Sequence, residues 1–271
     1  MGKIIAITNQ KGGVGKTTTT INLASCLAME GNKVLVVDMD PQGNSSSGIG
    51  IDKERLENCI YNVLIEDVSI LEVREKTNIE NLDIIPATVQ LAGAEIELVN
   101  KMRREHVLRV SLSPANDVYD YILIDCPPSL GLLTINSLAA ADSMLIPIQC
   151  EYYALEGLSQ LMNTFNLVKE HINTNLHIEG VLLTMFDART NLSIQVVDEV
   201  KRYFKNKVYK TIVPRNVRLS EAPSHGKPVT SYAAKSRGAE VYRELAKEVI
   251  GVNKESAQPP KIKFIPGRQR K

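Results

Sequence analysis

Short, mostly apolar runs alternate with amphipathic stretches along this chain. The runs are Ile4-Ile5-Ala6-Ile7, Val34 to Val37, Leu82 to Ala87, Tyr121 to Ile124, Ser143 to Ile148, Ile178 to Thr184 and Val208 to Ile212. Runs this short and this apolar suit strands buried on both faces of a parallel sheet. Between them, recurrence at helical spacing predicts helices over Thr18–Glu30, near Ser69–Lys76, and over Leu132–Ala141, Ala154–His171, Ser193–Phe204 and Gly238–Ile250. From Gln90 to about Arg109 the pattern fits one helix, or two broken near Arg103-Arg104-Glu105. Residues 45–81 are polar and mixed, and no chemistry is read from them. The alternation predicts an α/β fold: a doubly wound, mostly parallel sheet with helices on both faces.

The first strand runs into Lys11-Gly12-Gly13-Val14-Gly15-Lys16-Thr17-Thr18. A strand, a glycine turn and a helix in that order aim backbone N–H groups and the positive helix end at one point, which suits a phosphate chain. Gly15, Lys16 and Thr17 match the second half of the Walker A pattern, in which the lysine reaches the terminal phosphates and the hydroxyl holds magnesium. The first glycine of that pattern falls at Gln10, and an extra lysine, Lys11, stands before the glycine pair. Two further strands end in carboxylates: Asp38-Met39-Asp40-Pro41-Gln42-Gly43-Asn44, and Asp125 before Cys126-Pro127-Pro128-Ser129. Ligands of doubly wound sheets sit outside the carboxyl ends of strands, so these acids are expected beside the nucleotide. Asp125 reads as Walker B, a magnesium-orienting carboxylate. The Pro-Pro pair cannot continue a strand and starts a loop.

One lysine entering the loop and one leaving it resembles the deviant Walker A of the ParA/MinD group of ATPases. With the D-x-D-P-Q-G-N and Walker B segments in order, the stretch from about Lys3 to Ile250 is similar to the small chromosomal ParA proteins of the Soj type. The resemblance implies a deviant Walker P-loop NTPase that binds ATP and Mg2+ and forms an ATP-dependent homodimer. It implies that Lys11 crosses to the partner's phosphates, Gly12 to Thr18 cradle the nucleotide, and Lys16 neutralises phosphate charge. Thr17 would ligate magnesium with Asp38 on the same side, Asp40 would align the attacking water, and Pro214 and Asn216 would border the adenine. Such proteins bind double-stranded DNA non-specifically and are stimulated by a ParB-type centromere-binding protein. Arg189 and Arg218 lie in segments that resemble the DNA-binding surface of these relatives; Lys227, Lys235 and Arg237 are further candidates. A MinD-like membrane switch is the alternative with the same nucleotide site.

Length and charge refine this picture. At 271 residues the chain can bury a full core as one domain, expected over 1–250, followed by a basic, proline-containing tail over 251–271 that reads as disordered. The tail has no amphipathic period, whereas MinD-type relatives use an amphipathic C-terminal helix to reach a membrane, so no membrane partner is expected. No signal segment or membrane-length apolar run is present, and a cytoplasmic, nucleoid-associated location is expected. Cys26, Cys59, Cys126 and Cys150 lack C-x-x-C spacing and read as structural free thiols. The net charge of +1 hides a balance of −10 over residues 1–179 and +11 over 180–271. Charge segregated in this way points to an anionic partner for the C-terminal third.

Overall fold

A computed structural model describes residues 2–151 and 156–256. Its eight strands are β1 (Lys3–Ile7), β2 (Val34–Asp38), β3 (Glu75–Lys76), β4 (Leu82–Ile85), β5 (Tyr121–Asp125), β6 (Ser143–Gln149), β7 (His177–Phe186) and β8 (Val208–Pro214). They form one sheet in the order β3-β4-β2-β5-β1-β6-β7-β8. All pairs are parallel except β3 with β4. From β1 the chain crosses to β2, adds β3 and β4 beyond it, returns to insert β5 between β2 and β1, and then runs out the other way through β6, β7 and β8, so the order reverses beside β1 and opens a crevice at its carboxyl end.

Alternation along the strands sends side chains into two cores. Ile4, Ala6, Leu35, Val37, Ile122 and Ile124 face one, and Ile5, Ile7, Val34, Val36 and Leu123 face the other. The second core is closed by α1 (Lys16–Met29) and α12 (Arg237–Ser256), the latter bringing in Val241, Leu245 and Val249. The first is closed in part by α7 (Leu132–Ala140), α8 (Glu156–His171) and α9 (Asn191–Phe204). Because both faces are covered, β2 and β5 are buried at every position.

Expected and observed boundaries differ at several elements. The stretch near Ser69–Lys76 divides into a single turn, Ile70–Val73, and the antiparallel edge strand β3. The stretch from Gln90 to Arg109 follows the second of its two expected readings: it is two helices, α5 (Leu91–Glu97) and α6 (Val107–Leu112), broken where Arg103 takes a left-handed φ of 53°. The helix expected from Ala154 begins at Glu156, the residues before it lying outside the described ones. The helix expected to end at Ile250 runs to Ser256, and the tail beyond, 257–271, is likewise outside. Within residues 45–81 the chain forms α2 (Asn44–Ile49) and α3 (Ile60–Ile65).

Candidate nucleotide site

Register brings the strand-end acids together. Ile7 of β1 lies level with Asp125 of β5, and Asp125 with Asp38 of β2. The glycine loop leaves β1 over this point and is tied at both ends. Asn9, buried at its entry, donates from Nδ2 to Pro147 O of β6 (2.7 Å) and accepts Lys11 N on Oδ1 (3.0 Å). Thr184 Oγ1 of β7 donates to Val14 O (2.8 Å) at its exit. Gly13 and Gly15 have φ of 74° and 93°, a left-handed backbone that a side chain would strain. That geometry turns the chain into α1, whose first residue is Lys16.

Lys16 is nearly buried, and its ammonium donates to Lys11 O at 3.3 Å. Burial holds its pKa below that of free lysine, an effect opposed by the negative charge of Asp125 and, more weakly, of Asp40. Lys11 is half-buried and its ammonium forms no ion pair among the described residues, while Gly12 and Gly13 face open space.

Asp38 and Asp125 are both fully buried, and hydroxyls surround them. Asp125 Oδ2 accepts from Thr17 Oγ1 (2.8 Å) and Ser45 Oγ (2.7 Å), and its Oδ1 accepts from Thr20 Oγ1 (3.3 Å). Asp38 Oδ2 accepts from Ser46 N (2.9 Å) and Ser46 Oγ (2.7 Å), and its Oδ1 accepts from Asp40 N (3.2 Å). Burial first, and the neighbouring Asp125 second, push the Asp38 carboxyl well above the usual carboxylate range. Asp125 is raised by burial too, against the hydrogen bonds from Ser45 and Thr17 and the charge of Lys16. Two dehydrated carboxylates side by side, with one lysine near them, have more negative charge than their surroundings offset. The donors present are oxygens alone, which fits a hard divalent cation such as magnesium. Thr17 gives its proton to Asp125 and so keeps its lone pairs free for such an ion.

Asp40 lies two residues beyond the end of β2 and accepts Gln42 N on Oδ1 (2.9 Å). Gly43 closes this turn at φ 61°, and a Cβ there would stand 2.5 Å from Ala87 O. Only glycine lets the chain pass, and α2 begins at once, which delivers Ser45 and Ser46 to the two acids. A cavity of about 160 Å³ runs beside the loop and is lined by Gly15, Thr18, Pro214, Asn216 and Tyr242. The expected base-pocket residues Pro214 and Asn216 thus share a wall with the phosphate loop, and Asn216 also caps α10 (Val217–Glu221) by accepting Arg218 N (2.9 Å).

Arg189 and Arg218 stand in neighbouring segments at the ends of β7 and β8, where Arg215 N donates to Phe186 O (3.1 Å). Both are exposed and both are ion-paired, Arg189 with Asp187 (2.7 Å) and Arg218 with Glu221 (2.8 Å). Arg237 pairs with Glu240 (2.7 Å), and exposed Lys227 and Lys235 form no ion pair among the described residues. The four cysteines are buried free thiols. Burial pushes Cys26, Cys126 and Cys150 up to about 12. Sequence reasoning missed Asn9, Thr20, Ser45, Ser46 and Thr184. The signal was local for the serines alone, which directly follow the Asp-Pro-Gln-Gly-Asn turn.

Residues 2–178 match a family described as an AAA domain. The sporulation initiation inhibitor protein Soj of Bacillus subtilis (strain 168) is 67% identical over 249 residues, covering 92% of this chain and 98% of that protein. The chromosome partitioning protein ParA of Myxococcus xanthus (strain DK1622) is 58% identical over 250 residues, covering 92% of this chain and 88% of that one. Among solved structures, cobyrinic acid a,c-diamide synthase from Mycobacterium smegmatis with bound ADP and magnesium superposes with a TM-score of 0.84 at 35% identity, over 98% of this chain and 100% of that one. Identity this high over almost the whole of Soj, on a fold whose phosphate loop and strand-end acids converge as described, means that the chain belongs to the Soj/ParA family of partitioning ATPases.

Proposed function

We propose that this chain is a magnesium-dependent ATPase of chromosome or plasmid partitioning, in which ATP joins two copies into a dimer that binds DNA non-specifically. Hydrolysis, stimulated by a ParB-type partner, releases the dimer from DNA. The observation that carries the reading is the meeting of Thr17, Ser45 and Asp125 beside Lys16 at the carboxyl ends of β1 and β5. The relative named as a chromosome partitioning protein, ParA of Myxococcus xanthus, agrees with it.

The chain's own groups divide the work. Backbone N–H groups of the glycine loop and the α1 N-terminus hold the phosphates, and Lys16 adds a point charge at the terminal ones. Thr17 and Asp125, with Asp38 behind them, would hold magnesium, which when bound neutralises charge developing on the phosphate oxygens. Asp40, at the edge of the site with one oxygen committed to Gln42 N, would orient water with the other. Lys11 supports the dimer reading: its ammonium has no ion pair among the described residues, and the adjacent Gly12 is open to a second copy. The basic C-terminal third supports DNA as the anionic partner and a nucleoid-associated, cytoplasmic location.

The test measures phosphate release, sedimentation and duplex binding with ATP, ADP and no nucleotide. ATP is expected to give a dimer and DNA binding that the other two states lack. Equal DNA binding in all three states, or co-sedimentation with anionic liposomes in place of DNA, would overturn the reading.

A further inference from the structure

The nucleotide crevice leaves a second concavity unused. A groove of about 900 Å³ lies on the first-core side of the molecule, lined by residues that include Asp67, Lys101, Met102, Arg103, Arg109 and Val110. Its rim is apolar and uncovered: Met102 is 90% exposed and Val110 72%. Single exposed apolar residues are ordinary, but a concave site rimmed by large ones and by charge marks a contact surface. The charge here is positive within an acidic part of the chain. Lys101 is held by Asp67 (3.0 Å) and Arg104 by Glu105 (3.0 Å), whereas exposed Arg103 and Arg109 form no ion pair among the described residues.

The groove is also preformed. Buried Asn136 of α7 donates to Arg104 O (2.8 Å) and accepts Leu108 N (3.1 Å), fixing the break between α5 and α6 to a core helix. A surface already held in shape loses little freedom when a ligand arrives.

We propose that this groove docks an acidic, amphipathic segment of a partner protein. Its apolar side chains seat against Met102 and Val110, and its carboxylates pair with Arg103 and Arg109. Arginine's planar fork suits carboxylates, and an amphipathic helix laid in a groove presents apolar and charged groups together. DNA fits less well, because phosphate recognition has no use for an apolar rim. The chain's own segment 257–271 is excluded by sign, since it carries five basic residues and no acidic one. The inference stands apart from the partitioning reading, because its test needs no nucleotide.

The probe is a fluorescein-labelled peptide of about 16 residues with leucines at i, i+3, i+4 and i+7 and glutamates elsewhere, titrated by anisotropy at about 0.15 M salt with the full chain. Its Lys/Leu and Glu/Ser counterparts are the controls. The Glu/Leu peptide is expected to bind and to protect 99–113 from hydrogen exchange, and neither control is. Arg103→Glu with Arg109→Glu, and separately Met102→Ser, should each weaken it by about tenfold or more. These exposed positions leave circular dichroism and ATPase activity as checks on folding. Affinity unmoved by these variants, equal binding of either control, or protection of 99–113 by a duplex oligonucleotide instead overturns the proposal. So does a nucleotide-free dimer that Met102→Ser dissolves, which would assign the groove to a second copy.

Discussion

Lys16 has a nearly buried ammonium whose hydrogen-bond acceptor among the described residues is the backbone oxygen of Lys11 at 3.3 Å. A triphosphate offers that ammonium several charged acceptors, each charge-assisted bond worth about 1.5–3 kcal/mol. Lys16→Ala should therefore weaken Mg-ATP binding by about a hundredfold in calorimetry; unchanged affinity would remove the lysine from the site. Asp40 makes a different kind of contribution. It sits at the edge of the site and its side chain accepts Gln42 N and no other hydrogen bond among the described residues, so its loss removes little that holds nucleotide. Asp40→Ala should bind ATP within a few-fold of the parent and slow turnover by about 10²-fold or more, the range for loss of a positioned proton acceptor. If turnover survives, Asp40 is a turn residue only.

At the scale of elements, the strand ends were readable and the helix that serves them was not. Runs such as Val34–Val37 are too short for helices of their own and suit strands buried on both faces, so the acids that end them were expected at the sheet's carboxyl edge, where they lie. The run Ser45-Ser46-Ser47 has no apolar period, and from sequence it is indistinguishable from a loop. It becomes α2 because Gly43 lets the backbone pass Ala87 O, which is tertiary information. Ser46 then satisfies Asp38 and also accepts Ala87 N (2.9 Å). Ser46→Ala leaves two buried polar groups short of a partner and should cost about 1–3 kcal/mol in urea unfolding. Ser45→Ala should raise the magnesium concentration needed for half-maximal ATPase, because Asp125 loses one of its two short hydroxyl bonds. A change in neither quantity would make both serines bystanders. The glycine loop was legible down to single residues, but a Cβ on Gly12 meets nothing within 4 Å in one copy, so crowding there would come only from the second copy of the proposed dimer. Gly12→Val should therefore fold and bind nucleotide normally and fail to form the ATP-dependent dimer in analytical ultracentrifugation. A normal dimer would place the partner's loop elsewhere.

At the scale of the whole molecule, the balance of +11 over residues 180–271 overstates the free positive surface. Fifteen residues of that stretch, 257–271, lie outside the described ones and carry five of its basic side chains. Arg189, Arg218 and Arg237 each hold a carboxylate, and the guanidinium beside Asp187 keeps that carboxyl well below its usual range. Exposed pairs of this kind contribute little, because water screens them, so in the proposed complex a DNA phosphate would displace the carboxylate at small cost. The exchange has a second consequence. Counterion release from DNA is driven by net positive charge, and an arginine that frees a carboxylate as it binds contributes less than one full charge. Arg189→Ala and Arg218→Ala should each weaken duplex binding similarly across unrelated sequences, and each should lower the slope of log affinity against log salt by about one unit at most. Asp187→Asn and Glu221→Gln should do the reverse, tightening binding and steepening the slope, since they leave the same arginines unpaired. Lys227 and Lys235, free of ion pairs among the described residues, should show the full unit when replaced by alanine. Filter binding across a salt series, with dimerisation checked in parallel, separates these cases. If all four basic replacements retain the parent's affinity and slope, the DNA surface is not at the ends of β7 and β8, and the five basic residues of 257–271 are the next to replace.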